Sequence, residues 1–389
     1  MKVLINWFLI LGFVSQHLCL GRNVQTKNTS YNVIDYGAIG NGISDDSQAF
    51  LKAWKDTCGA QGTVTLVIPP NKVFLLKSIS FKGPCRGTNI NIQLQGKIIV
   101  PPKNAWTGDV SDFILFSNVK SLTIVGSEGL IDGYGSTWWN CKSCPRPSVL
   151  HFNACNNLNV NSLHIINSPK IHIKISTTIG AILSNIKIEA PGNSPNTDGI
   201  DISASKNILI EDSTIGTGDD CIAIVKDSSY INVTGVACGP GHGISIGSLG
   251  KGKSRSNVEE IHVRNCTFIG TQNGARIKTW EGGSGYARKI TFEQITLKAV
   301  YNPIIINQEY FASSITDEAL IVSDVVFREI EGTSGNEKAI NLDCTSLGCF
   351  NITLDHIDIS YPGKQAYAFC KNAHGTATST IPNVTCLLK

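Results

Sequence analysis

The chain has 389 residues, 42% of them hydrophobic and 16% charged, enough apolar side chain for a large core and too ordered a composition for a disordered chain. Its formal net charge is +3 with no long run of Lys or Arg, which argues against nucleic acid as a partner. Glycine at 37 positions, with abundant Asn, Ser, Thr, Ile and Val, points to short strands and many turns.

Lys2, the apolar run VLINWFLILGFV and small residues at Cys19 and Gly21 read as a signal peptide over residues 1–21, cleaved before Arg22. The apolar core is about a dozen residues, short for a membrane anchor. A secreted protein with no membrane partner and one domain over residues 22–389 is therefore expected. Removing Cys19 leaves 12 of the 13 cysteines, an even number suited to a disulfide framework in an oxidising compartment. Cys344 with Cys349, and Cys370 with Cys386, are natural local bridges. CKSC at 141–144 suggests zinc only weakly, because it lacks a second pair of ligands. Sequons at Asn28, Asn232, Asn265, Asn351 and Asn383 gain weight from the secretory reading.

Next along the chain, ISDDSQAFLKAWKDTCG at 43–59 predicts an amphipathic helix. Ser44 would be its N-cap, Asp45 and Asp46 would lie in its first turn, and Phe50, Leu51 and Trp54 would share its apolar face.

Beyond it, a triplet of aliphatic, any, then aliphatic or aromatic residue recurs, starting at Ile90, Leu122, Leu158, Ile186, Ile208, Ile231, Ile261, Ile290, Val325 and Ile352. The spacings are 32, 36, 28, 22, 23, 30, 29, 35 and 27 residues. Each unit is too short to be a domain, and period-two alternation marks strands with one buried face. Such units stacked rung upon rung predict an all-β, right-handed parallel β-helix with aliphatic ladders inside and the helix capping its N-terminal end. A spacing of 22 is a bare coil, and 30 or more implies a loop insertion. A propeller or sandwich would not combine a constant short triplet with such variable spacing.

The coil length then serves as a ruler. Asp198 in NTDG, Asp220 in GDD and His242 in GHG are separated by 22 and 22 residues, so they should stack on successive rungs about 4.8 Å apart. Arg276 and Lys278 in ARIK follow one rung later, and being two residues apart they leave the same face. Asp219 and Asp220 cannot both face outward from a regular strand, and Gly216 and Gly218 supply the freedom for a bend that lets both reach one cleft. Crowded carboxylates raise at least one pKa, and mutual repulsion in the doublet should keep one acid protonated while another stays ionised. That division of labour serves glycoside hydrolysis, and the two cations suit a substrate carrying carboxylates. Singly, Asp198 is a turn residue, His242 a loop residue and the basic pair a solvated face; it is the shared ruler that joins them. A calcium site on Asp198, Asp219 and Asp220 is the competing chemistry, opposed by Arg276 and Lys278 nearby.

The blocks SPNTDGI, GTGDDCIAI, CGPGHGISIGSLGK and NGARIKTWEGGSGYA, in this order, resemble the polygalacturonases, glycoside hydrolase family 28, and in particular the plant type. The similarity extends from VIDYGAIGNGISDDSQAF to the cysteine-rich C-terminal tail. The resemblance implies a pectin-lyase-like β-helix that hydrolyses α-1,4-linked galacturonan of pectin with inversion, as a monomer in the cell wall, without cofactor or metal. It implies Asp219 as general acid, Asp198 and Asp220 as the pair activating water, and His242 as the residue assisting the acid. Arg276 and Lys278 resemble the pair gripping a galacturonate carboxylate. Tyr310 in NPIIINQEY and Asn196 in NTDG are further candidates for substrate contact. Two alternatives stand beside this: a pectate lyase using calcium and a basic residue, and a non-catalytic wall-binding protein, in which the acid at Asp219 would be expected to erode.

Overall fold

The structure, a computed structural model, describes residues 29–107, 110–141, 143–310 and 319–389. The expected signal peptide and the sequon at Asn28 lie outside the described residues.

The strands stack in parallel as a β-helix with three walls. One wall is an 11-stranded parallel sheet running from Ile79–Lys82 to Tyr367–Lys371. The other two are joined into a 21-stranded sheet. They merge because Arg255–Ile269 runs straight through a corner and pairs with both Ser228–Thr234 and Ala237–Cys238 of the preceding coil. The corners explain the abundance of asparagine. Asn118, Asn157, Asn167, Asn185 and Asn207 all sit in the left-handed region with φ of 52–58°, a conformation Asn tolerates better than most residues.

Inside, one ladder runs Val64, Ile90, Leu122, Leu158, Ala181, Ile208, Ile231, Ile261, Ile290, Val325 and Ile352 through the sheet pairings. These side chains are almost wholly buried, each aliphatic contributing about 1.5–3 kcal/mol by burial. The triplet at Ile186 is not on this ladder. Ala181 takes its place between Leu158 and Ile208, while Ile188 stacks between Ile165 and Ile215 on the adjoining wall. Period-two alternation is the same on every wall, so the pattern says that a strand exists without saying which wall it joins.

The helix Ser47–Gly59 closes the N-terminal end. Trp54 lies 5.0 Å from Phe81 and 5.8 Å from Phe116, at the head of an aromatic stack continued by Phe152. Its indole N–H donates to Lys82 O at 3.1 Å, and the Cys58–Cys85 disulfide ties the last turn to the same coil. The expected cap is corrected by the structure. Ser44 and Asp45 lie in the strand Asn41–Asp45, and Asp46 is the N-cap residue. The Asp46 carboxylate turns away from the helix to accept from Ile39 N and Gly40 N, whereas Asp45 accepts from Ser47 N. Asp46 thus serves the loop before the helix, while Asp45 receives the N–H of the helix's first residue.

Both expected local bridges form, Cys344–Cys349 and Cys370–Cys386. CKSC is a disulfide, Cys141–Cys144, and Cys221 pairs with Cys238. The even count does not go entirely into bridges, since Cys155 and Cys266 are buried free thiols. Cys266 continues a ladder of Ile295, Ile330 and Ile357, and so acts there as a small apolar side chain. Among the described residues no helix is long and apolar enough to cross a membrane.

Candidate active site

On the 11-stranded wall, Ile200, Ile222 and Ile244 are direct partners on successive rungs. Asp198, Asp220 and His242 each lie two residues before one of them, so the spacing of 22 is a true coil length on this wall. Arg276 pairs with Ser245 one rung on, and Lys278 follows on the same face. Asp198, Asp219, Asp220, His242, Arg276 and Lys278 are thereby gathered at one place.

The doublet splits its partners. His242 Nδ1 lies 3.0 Å from Asp219 Oδ1, which also accepts from the Asp220 backbone N–H at 2.8 Å. Asp220 is 1% exposed; its Oδ2 meets Lys278 Nζ at 2.5 Å and its Oδ1 accepts from Ser245 Oγ at 2.8 Å. Arg276 Nη1 stands 3.8 Å from that same Oδ1, and Arg276 Nε is buried without a hydrogen-bond partner.

The bend that presents the doublet lies between the strands Thr214–Gly216 and Ile222–Ile224. Gly216 and Gly218 serve it differently from the expectation. Neither adopts positive φ. A Cβ on Gly218 would stand 2.0 Å from Ser194 O, and one on Gly216 would stand 2.8 Å from Gly239 O. The glycines allow neighbouring coils to approach closely, and the doublet's direction follows from that packing.

Charge partners decide where protons are held. Asp198 is pushed well above the usual carboxylate range by burial and then by the charges of Asp201, Asp219 and Asp220. Asp201, pointing the same way one rung before Ala223, is raised to about 7 by burial and by Asp220 and Asp219. Burial also works on Asp219, but the hydrogen bond and charge of His242, with Lys278 behind, outweigh it and hold Asp219 below the ordinary value. The raised acids are thus Asp198 and Asp201, while Asp219 is held down beside His242.

Several contributors escaped the sequence reading. Asp201 carried a signal, since it alternates with Ile200 and Ile202 on the outward face. Arg146 carried none. Its guanidinium donates to Pro195 O at 2.6 Å and to Asn196 Oδ1 at 2.6 Å, and Asn196 Nδ2 in turn reaches Asp219 Oδ2 at 3.5 Å. Beneath Asp198, His172 is fully buried: it accepts from Ser168 N through Nε2 and donates from Nδ1 to Asp198 O at 3.0 Å. Burial pushes it down to about 4, so it is a neutral strut.

Tyr310 closes the far side. Its ring centroid is 5.1 Å from the Arg276 guanidinium carbon and 5.4 Å from Lys278 Nζ, with Trp280 edge-on at 6.1 Å. Ligand atoms of Asp219, Asp220 and His242 all lie within 4.8 Å of one another, a spacing a cation could bridge. The Lys278 ammonium already stands on Asp220 as an internal cation, so the donor set is matched without an added ion.

A parallel β-helix with carboxyls, an imidazole and paired cations on one outer wall defines a carbohydrate-cleaving hydrolase. The family model for glycosyl hydrolases family 28 matches residues 58–381, and the chain belongs to that family. A probable polygalacturonase of Arabidopsis thaliana is 45% identical over 373 residues, covering 93% of this chain and 81% of the relative. Polygalacturonase-2 of Solanum lycopersicum is 40% identical over 396 residues, covering 97% of this chain and 86% of the relative. Among solved structures, the endo-xylogalacturonan hydrolase of Aspergillus tubingensis superposes with a TM-score of 0.80 at 26% identity, over 91% of this chain and 99% of that one. The polygalacturonase of Erwinia carotovora shares the fold with a TM-score of 0.71 at 24% identity, over 90% of this chain and 96% of that one.

Proposed function

We propose that the protein is a secreted polygalacturonase that hydrolyses α-1,4-galacturonosyl linkages of pectin with inversion, outside the cell and without a cofactor. The observation that carries this reading is the pairing of Asp219 with His242 beside an Asp220 neutralised by Lys278, under the unpartnered Nε of Arg276.

Asp219 is the general acid. In the open groove the hydrogen bond and charge of His242 favour the ionised Asp219 carboxylate while water solvates it. A bound sugar chain expels that water, and desolvation of an ion pair favours its neutral form, with the proton on the carboxyl. Asp219 then delivers it to the glycosidic oxygen. Asp198 and Asp220 hold the attacking water, Asp198 taking its proton with the high affinity its burial gives. Arg276 and Lys278 bind the carboxylate of a galacturonate residue, Tyr310 packs against the sugar over both cations, and Asn196 hydrogen-bonds at the entrance beside Asp219. The signal-like segment at residues 1–21 and the disulfides support an oxidising, extracellular setting.

The test is release of reducing ends from polygalacturonic acid at mildly acidic pH, with NMR reading the anomer formed first. Wild type should release β-configured ends, and Asp219→Asn should lose activity by about 100-fold or more. Equal activity of the two proteins, or unsaturated products in place of reducing ends, would overturn the reading.

A further inference from the structure

A second constellation lies on the same wall, on coils before the doublet. The strands Asp112–Ser117, Ser148–Asn153 and Ile173–Ser176 are consecutive neighbours. His151 bridges them: Nδ1 lies 2.8 Å from Asp112 Oδ2, and Nε2 lies 2.7 Å from Ser176 Oγ. His151 is 8% exposed, and the other carboxylate oxygen of Asp112 is buried without a hydrogen-bond partner. The Ser176 hydroxyl also donates to Asn153 Oδ1 at 3.1 Å as that amide stands, and the residue is partly buried. None of these four residues touches the Asp219 centre.

We propose that Ser176, His151 and Asp112 form a second hydrolytic centre, a serine esterase site acting on carboxylic esters carried by the polysaccharide. The polysaccharide as ligand rests on the reading of the first site; the ester chemistry rests on this geometry alone. The order carboxylate, Nδ1, Nε2, hydroxyl is the one in which an imidazole held by an acid on one nitrogen takes a proton from serine on the other. Asp112 is the positioning residue that keeps the proton on Nδ1. Polar ladders on a sheet face are common as structure, but a solvated ladder needs neither a nearly buried imidazole nor this order of atoms.

The reaction balances with water. Ser176 Oγ attacks the ester carbonyl carbon while its proton passes to His151 Nε2. The carbon–alkoxy bond breaks, the alcohol leaves with that proton, and an acyl-Ser176 remains. Water, giving a proton to His151, attacks the acyl carbon; the acid leaves and Ser176 regains its hydrogen. The oxyanion would meet the Asn153 amide, whose nitrogen faces Ser176 once the side chain is flipped, and Lys174, which pairs with His151 in register and shares the face of Ser176. The strand of Ser176 is separated from that following the doublet by the single strand Ile200–Ser203, so the two sites stand two rungs, about 10 Å, apart along the axis. A chain lying along this wall spans both, and the ester would belong to a sugar outside the one being cleaved.

The experiment uses the purified full-length protein and three readouts. Methanol release from methyl-esterified polygalacturonan and acetate release from acetylated polygalacturonan identify which ester is taken. A fluorophosphonate probe followed by peptide mass spectrometry reports an activated serine. The expectation is one adduct, on Ser176, and release of one of the two products that falls by about 100-fold or more in Ser176→Ala and in His151→Gln. A wild type that takes no adduct and releases neither product, or a Ser176→Ala variant with wild-type rates, overturns the proposal. Thermal unfolding of each variant reports folding, and the adduct on wild type needs no variant at all. Reducing ends released from unesterified polygalacturonan by the same wild-type preparation test the first site alone, so either reading can fail without the other.

Discussion

Lys278 Nζ meets Asp220 Oδ2 at 2.5 Å although the two residues lie 58 positions apart in sequence and on rungs separated by another coil. Both are nearly buried, at 6% and 1% exposure. Removing one partner from such a pair leaves an uncompensated charge, at a cost of about 3–5 kcal/mol. Lys278→Met should therefore lower stability by that order in urea titrations and also abolish pectin hydrolysis. Adding Asp220→Asn should restore most of the stability and none of the activity. Equal stability of the single and double variants would show that the pair is not coupled.

Gly218 offers a separate test of how the doublet is aimed. A Cβ there would meet Ser194 O at 2.0 Å, and the obstacle is backbone that cannot rotate away. Gly218→Ala should push the bend outward, costing about 1–3 kcal/mol of stability. The displaced Asp219 should also lower kcat, by tenfold or more, with a smaller change in KM. Were the glycine needed only for flexibility, Ala would be tolerated, since its φ is not in the left-handed region.

Much of this arrangement was legible because the coil length is written in the spacing of the site itself. Asp198, Asp220 and His242 sit two residues before paired isoleucines, so a count of 22 placed them on one column. Arg276 and Lys278 followed from strand alternation. Where the reading slipped, the lost information was tertiary. Ala181 breaks the aliphatic signature of its own ladder, which let Ile186 stand in for it. Arg146 lies on a loop-bearing coil with no periodic marker, and only folding brings it to Asn196. The location of the raised acids could not be read from adjacency, because His242, with Lys278 behind it, holds Asp219 below the ordinary value despite the acid beside it.

The buried strut His172 makes acid stability measurable. Its folded value, pushed down by burial to about 4, lies below the ordinary value of 6.5. The unfolded chain therefore binds a proton that the folded chain refuses, so stability falls as pH drops below about 6.5 and levels off near pH 4. The gap corresponds to about 3 kcal/mol at most. His172→Gln, which keeps a donor and an acceptor, should lose less stability than wild type between pH 7 and pH 4.5 when urea midpoints are compared. A wild-type slope in the variant would assign the acid sensitivity to other groups.

Asp201 should act with the opposite sign. Burial and the charges of Asp220 and Asp219 raise it to about 7, and its Oδ1 is buried without a hydrogen-bond partner. A carboxyl with a raised folded value is destabilising once ionised. The penalty grows from the unfolded value near 4 and is complete above about 7. Asp201→Asn removes the charge while keeping size and polarity. Its melting temperature should equal that of wild type near pH 4 and exceed it at pH 8. The same change withdraws one negative neighbour from Asp198, whose affinity for protons should then fall. The acidic limb of kcat should move to lower pH, with KM nearly unchanged if Asp201 does not touch the sugar. A variant that is less stable at pH 8, or whose pH profile is unmoved, would show that Asp201 is ionised and satisfied in the native protein.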